Sequence, residues 1–295
     1  MSIQFEFLGC EEVGNALGEG VLWRESDQTV WWTDILSCRL YRMSWPAREV
    51  KAFMVPERLG SFGFVAGDDD CLVCAFETGF ALFWPETAAI RWLSHPAGLQ
   101  PKNIRMNDGK VAPDGRFWAG SMKDGGGKLE AETGFYRLCP KSGADLMIAG
   151  LGIPNGLAWA PSGEEFYFSD TVSGTVYSAR VAADAGTVSA TPFTQLAPGT
   201  PDGAAFDTAG RYWAALWDTG KIAVISADTA ITQEFRLPVP RPTCIAFGGA
   251  ERNIAFVTSA RTGLDEDALN AFPLSGGLLI YQTNACGLTA SRFIP

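Results

Sequence analysis

Residues 152–171 read GIPNGLAWAPSGEEFYFSDT, and residues 200–219 read TPDGAAFDTAGRYWAALWDT. Both place a Pro-X-Gly turn before a short apolar run, a second turn glycine eight residues after X, and then an aromatic segment. X is Asn155 in the first stretch and Asp202 in the second, 47 residues further on. Self-similarity at a period of about 40–50 residues is the mark of a propeller, in which each repeat is one blade.

Aligned on the residue before each short apolar run, the chain yields six loci. They are Glu19 in LGEGVLW, Phe62 or Gly63 in GSFGFVA, Asn107 in RMNDGKVA, Asn155 in IPNGLAW, Asp202 in TPDGAAF and Thr243 in RPTCIAF. Steps between them run from 41 to 48 residues, and Gly115, Gly163 and Gly210 each follow their locus at eight. Aromatic or apolar segments come next: VWWTD, CLVCAF, RFWAGS, EFYFSD, RYWAAL and NIAFVT. Stretches such as GFYRLCP, GTVYSARV and KIAVISAD alternate apolar and polar, as half-exposed outer strands do. Helical spacing is nowhere sustained, and LDEDALNAF at 264–272 is at most one short helix. The pattern predicts an all-β fold: a six-bladed β-propeller with four-stranded blades around a central channel, residues 1–295 forming a single domain. A strand around Ile3–Leu8 is expected to pair beside GGLLIYQT and close the ring.

Composition agrees. Of 295 residues, 47% are hydrophobic, with 10 Trp and 19 Phe to fill the space between sheets. The net charge of −10 comes with no Lys/Arg-rich run, which argues against a nucleic-acid partner. No apolar run reaches the roughly 20 residues that cross a membrane, and MSIQFEFLGCEEVG lacks the positive start of a signal peptide. The expectation is a soluble, cytoplasmic protein, monomer or small homo-oligomer, without a membrane partner. Its seven cysteines are odd in number and sit in apolar surroundings, so free thiols are expected, including the Cys71-Leu-Val-Cys74 pair.

In a propeller, the loops entering the inner strands crowd one mouth of the channel, so residues in phase along the chain converge in space. Glu19, Asn107, Asn155 and Asp202 then form an all-oxygen set suited to a hard or borderline divalent cation. Two carboxylates pressed together would repel and raise a pKa, a conflict that a cation removes. Taken singly, Pro-Asn-Gly and Pro-Asp-Gly are ordinary turns; their common phase makes them a candidate site. Other motifs carry less. The one histidine, His95 in LSHPAGL, matches no in-phase locus and reads as a loop residue. GGG at 125–127 lacks the Lys-Ser/Thr of a phosphate loop and reads as a flexible loop. Asp34 and Asp170, which end aromatic strands, read as turn caps.

With LGEG around Glu19, RMNDGKVAPDGRFWAGSM from Arg105, IPNGLAW with Asn155 and PDG with Asp202, the chain resembles the gluconolactonase, regucalcin and senescence-marker-protein group of sugar lactonases. The likeness runs from LGEGVLW through ARTGL. It implies a six-bladed propeller that hydrolyses aldonolactones to aldonic acids with one divalent metal ion (Ca, Zn, Mn, Mg or Fe). It implies Glu19, Asn155 and Asp202 as metal ligands, Asp202 also as the catalytic proton acceptor that activates water, and Arg105 and Asn107 as substrate-binding residues. Some members contact substrate through a Glu in the loop after the third-blade aromatic strand. Here that loop reads MKDGGGKLE, the alignment puts Gly125 at the position, and Asp124 or Lys123 is the candidate replacement. The expected partner is a small-molecule sugar lactone. Two other readings are an enzyme acting on a different ester with the same metal cup, and a non-catalytic propeller that binds calcium or a protein partner.

Overall fold

A computed structural model describes residues 2–96, 99, 103–125, 133–139, 143–182, 186–228 and 230–295. The described strands form six four-stranded antiparallel sheets, the six-bladed propeller that the repeat predicts. Their innermost strands are Gly18–Arg24, Leu59–Val65, Ile104–Val111, Pro154–Trp159, Pro201–Phe206 and Pro242–Gly248. Each inner strand neighbours the next around the ring, and the sixth neighbours the first. The sixth blade is built from both ends of the chain. Phe5–Glu11 lies antiparallel to Leu278–Thr283, with Phe5 opposite Thr283, which closes the ring where the alternating N-terminus predicts.

Burial falls from the axis outward, and the sequence follows it. Every residue of Gly18–Arg24 is buried, whereas Val50–Met54, the outermost strand of the same blade, is mostly exposed. Strands covered on both faces read as continuous apolar runs, and those covered on one face alternate. Blade faces pack against each other through large rings: Trp31 and Phe53 of blade one meet Phe62 and Phe64 of blade two. The turns need left-handed backbone at Gly115, Gly163 and Gly210, the three glycines found at a spacing of eight. The stretch 264–272 holds one short helix, Glu266–Ala271, capped by the Asp265 side chain. Among the described residues, no helix is long and apolar enough to cross a membrane. All seven cysteines are free.

Phe5 fastens the closing strand. Its ring stacks on Tyr281 at 4.1 Å within the blade and on Phe235 of blade five at 4.6 Å. Phe5→Ala is expected to lower unfolding stability by about 2 kcal/mol, below the cost for a fully buried Phe because the site is only half-buried. Urea denaturation checks this, and an unchanged midpoint would show that the ring does not depend on the stack.

Candidate functional site

Each inner strand breaks its pairing register near the same place. The shifts fall between Glu19 and Leu22, Met106 and Gly109, Asn155 and Ala158, and Pro201 and Ala204. Blades two and six shift between Leu59 and Ser61 and between Pro242 and Cys244. A bulge of this kind inserts an extra residue and re-aims side chains, and bulges collect beside active sites. In blade two the residue at the shift is Gly60, not Phe62 or Gly63 as the alignment expects. The Gly-Ser-Phe-Gly-Phe run allows two phases, and packing selects the one that puts glycine where a Cβ would lie 2.6 Å from Met106 O. Thr243 of blade six is buried and donates its hydroxyl to Gly18 O, tying the last inner strand to the first beside Glu19.

Glu19 and Asp202 meet across the channel. Both are buried, and their carboxyl groups lie close enough to interact, which disfavours ionising both at once. Burial and the nearby Asp108 charge push the Glu19 carboxyl up to about 8. Burial together with the charges of Glu19 and Asp108 holds Asp202 well above the usual carboxylate range. Glu19 Oε2 also accepts the N–H of Gly20 at 3.0 Å.

Asn155 is the most firmly gripped residue of the set. Its Nδ2 donates to Thr171 Oγ1 at 2.8 Å, and its Oδ1 accepts from Asn107 Nδ2 at 2.8 Å. Asn107 Oδ1 in turn accepts from Arg105 Nη1 at 2.9 Å. The backbone just after Asn155 is clasped from both sides. Asp108 accepts from Leu157 N at 2.9 Å, while Tyr212 OH donates to Gly156 O at 2.7 Å. Gly156 has φ +64, and a Cβ there would meet Tyr212 OH at 2.2 Å. Only glycine fits.

Arg105 is buried, and its Nε has no hydrogen-bond partner, lying 3.4 Å from Asp124 Oδ1 as a looser ion pair. Asp124 sits at the rim, 2.8 Å from Arg58 Nη1, and the two arginines keep it below the usual carboxylate range despite partial burial. Arg58 is held by Glu77 as well. The structure therefore brings Glu19, Arg105, Asn107, Asn155 and Asp202 together around the inner strands, with Asp124 joined to them through Arg105. Lys123 is half-buried next to Asp124; Gly126 and Gly127 lie outside the described residues. His95 stands apart in a loop, against Thr78 O and Trp92. Asp34 and Asp170 are caps, as expected, and they cap the loops that lead into the site: Asp34 accepts from Ala16 and Leu17 N, Asp170 from Ile153 N.

Three residues of this assembly escape sequence reasoning: Asp108, Thr171 and Tyr212. Asp108 directly follows Asn107 in RMNDGKVA, so a second oxygen side chain was in view; nothing local says that it reaches the next blade. The donor set fits a divalent cation. Two buried carboxyls that raise each other's pKa, beside an amide oxygen of fixed orientation, are a hard-ligand cradle. Among the described residues, no three His, Cys, Asp or Glu side chains cluster as a metal site by themselves, so a cation here would need the amide of Asn155.

Comparison with known proteins places the chain. The profile of the SMP-30/Gluconolactonase/LRE-like region matches residues 17–261, and the chain belongs to that family. It is 32% identical to the 6-deoxy-6-sulfogluconolactonase of Pseudomonas putida, over 95% of both chains. It is 30% identical to the L-arabinolactonase of Azospirillum brasilense, covering 95% of this chain and 92% of that one. Among solved structures, a calcium-binding protein, regucalcin, from Agrobacterium tumefaciens superposes with a TM-score of 0.89 at 26% identity, covering 98% of each chain.

Gly156→Ala is expected to cost about 1–3 kcal/mol of stability from backbone strain alone, with the Tyr212 contact adding to it; chemical denaturation reads the loss. The carboxyl pair also makes stability depend on pH. Glu19 has an ordinary value of 4.5 and a folded value of about 8, so the folded chain holds a proton that the unfolded chain releases. That stabilisation is complete below the ordinary value and is lost as the pH rises to about 8. Chelator-treated protein should therefore unfold more readily at pH 8.5 than at pH 6, and Glu19→Gln should flatten this slope. A slope unchanged by the substitution would contradict the raised Glu19 carboxyl.

Proposed function

We propose that this protein is a sugar lactonase that hydrolyses aldonolactones to aldonic acids with the help of one divalent cation held by Glu19, Asn155 and Asp202. The observation that carries the reading is the buried Glu19–Asp202 contact, a pair that cannot be fully ionised without a compensating cation. Bound there, a divalent cation would polarise the lactone carbonyl and stabilise the negative charge that develops on its oxygen.

The chain's own residues supply the rest. Asp202, ionised once its proton is displaced, takes a proton from the attacking water at a carboxylate oxygen and can return one to the ring oxygen as it leaves. Arg105 and Asn107 bind and orient the sugar hydroxyls. Asp124, kept ionised by Arg58 and Arg105, is an acceptor for a hydroxyl at the rim. Burial of these groups excludes bulk water and strengthens each interaction. The names of the two lactonase relatives support a lactone substrate and leave both hexono- and pentonolactones as candidates.

Acid release from glucono-, xylono-, arabinono- and galactonolactone, followed side by side after cation removal and add-back, tests the reading. Turnover is expected on at least one lactone, lost with chelator and restored by a divalent cation. Asp202→Asn should lower kcat/KM by at least about 1,000-fold, since it removes both a ligand and the proton acceptor, with the fold retained by circular dichroism. Cation binding without acid release from any lactone would favour a binding role instead.

A further inference from the structure

The six positions that follow the second strand's end are occupied very differently. By register with the inner strands, Thr171 of blade four corresponds to Ile35 in blade one, where the residue is buried and apolar. Both follow a capping aspartate, Asp170 and Asp34, that ties the second strand back to the loop entering the inner strand. The turn therefore does not need a hydroxyl at this place. Blade four nevertheless carries one, buried, with both of its hydrogen-bonding functions in use.

The direction of those bonds follows from their ends. Pro201 O is a carbonyl and can only accept, so the Thr171 hydroxyl proton is committed to it, at 2.6 Å. Thr171 Oγ1 is left with lone pairs alone, so the Asn155 group 2.8 Å away must be the amide NH2. At the other end Arg105 has no acceptor, so Asn107 meets it with Oδ1 and turns its own NH2 toward Asn155. The chain Arg105–Asn107–Asn155–Thr171–Pro201 O thus runs in one sense from an obligate donor to an obligate acceptor. It spans blades three, four and five and ends on the residue before Asp202. Along it Asn155 Oδ1 faces away from Thr171, with one lone pair taken by Asn107 and a second available.

We propose that Thr171 is a positioning residue for the cation: it locks the Asn155 amide so that the oxygen, not the NH2, is presented to the ligand cluster. The inference rests on the reading of Asn155 as a cation ligand. Without the Thr171 acceptor, the amide is held at one end only, by Asn107, and the fraction that flips would offer a hydrogen-bond donor where the cation needs an oxygen. Partners that orient a metal ligand typically contribute 10- to 100-fold in affinity.

The test compares Thr171→Val, which keeps the shape and removes both bonds, with Thr171→Ser, which keeps both. Chelator-stripped proteins are titrated with Mn2+ alone, free Mn2+ being read by electron paramagnetic resonance, and folding is checked by circular dichroism and thermal melting. Thr171→Val is expected to weaken Mn2+ binding by about 10-fold or more and Thr171→Ser by less than about 3-fold. Turnover of Thr171→Val should recover substantially at high Mn2+, because the residue acts only through the ligand. If Thr171→Val does not fold, Thr171→Ala against Thr171→Ser makes the same comparison. A folded Thr171→Val or Thr171→Ala protein that binds Mn2+ as the parent does overturns the inference and leaves the cation site standing. Failure of the parent itself to bind Mn2+, Ca2+ or Zn2+ overturns the site and the inference together.

Discussion

The contact between Glu19 and Asp202 is the constraint around which the mouth of the channel is arranged. These carboxyls come from blades one and five and lie buried against each other. Removing two such groups from water and setting them side by side is unfavourable unless a proton or a cation lies between them. A flexible loop would relieve the repulsion by moving apart. The ring prevents that, because each inner strand is fixed by its neighbours and the last blade is closed by the N-terminal strand.

The same rigidity serves the neutral member of the set. Asn155 stands on a bulge whose backbone is clasped by Asp108 from blade three and Tyr212 from blade five. Its side chain is held between Asn107 and Thr171. Every one of these partners except Thr171 belongs to another blade, so the geometry of the site is a property of the ring rather than of any one repeat. Farther out, Asp124 sits between Arg58 and Arg105 and links the rim to the buried relay.

Much of this was legible in the chain because propeller repeats translate position in sequence into position in space. The phase shared by Glu19, Asn107, Asn155 and Asp202 identifies residues that converge, although they span 183 positions from Glu19 to Asp202. Where the phase was ambiguous, the reading failed: GSFGFVA contains two glycines and two aromatics, and only packing against Met106 O selects Gly60. Asp108 and Tyr212 were not visible as site residues because each acts across a blade boundary, and a repeat aligned on itself carries no information about contacts between repeats. Thr171 lies in the blade of Asn155, but the corresponding place in blade one holds Ile35, so the repeat gives it no signal.

The sequence by itself determined the blade count, the closing strand and which oxygen-bearing side chains share one mouth of the channel, because strand periodicity and turn glycines are local and recur. Tertiary structure alone decided which side chains bear on each other: that Glu19 and Asp202 are buried side by side, that Arg105 is buried with its Nε facing Asp124, and that the Asn155 amide has one orientation. Those outcomes depend on distances between blades and on burial, and both exist only once the ring has closed.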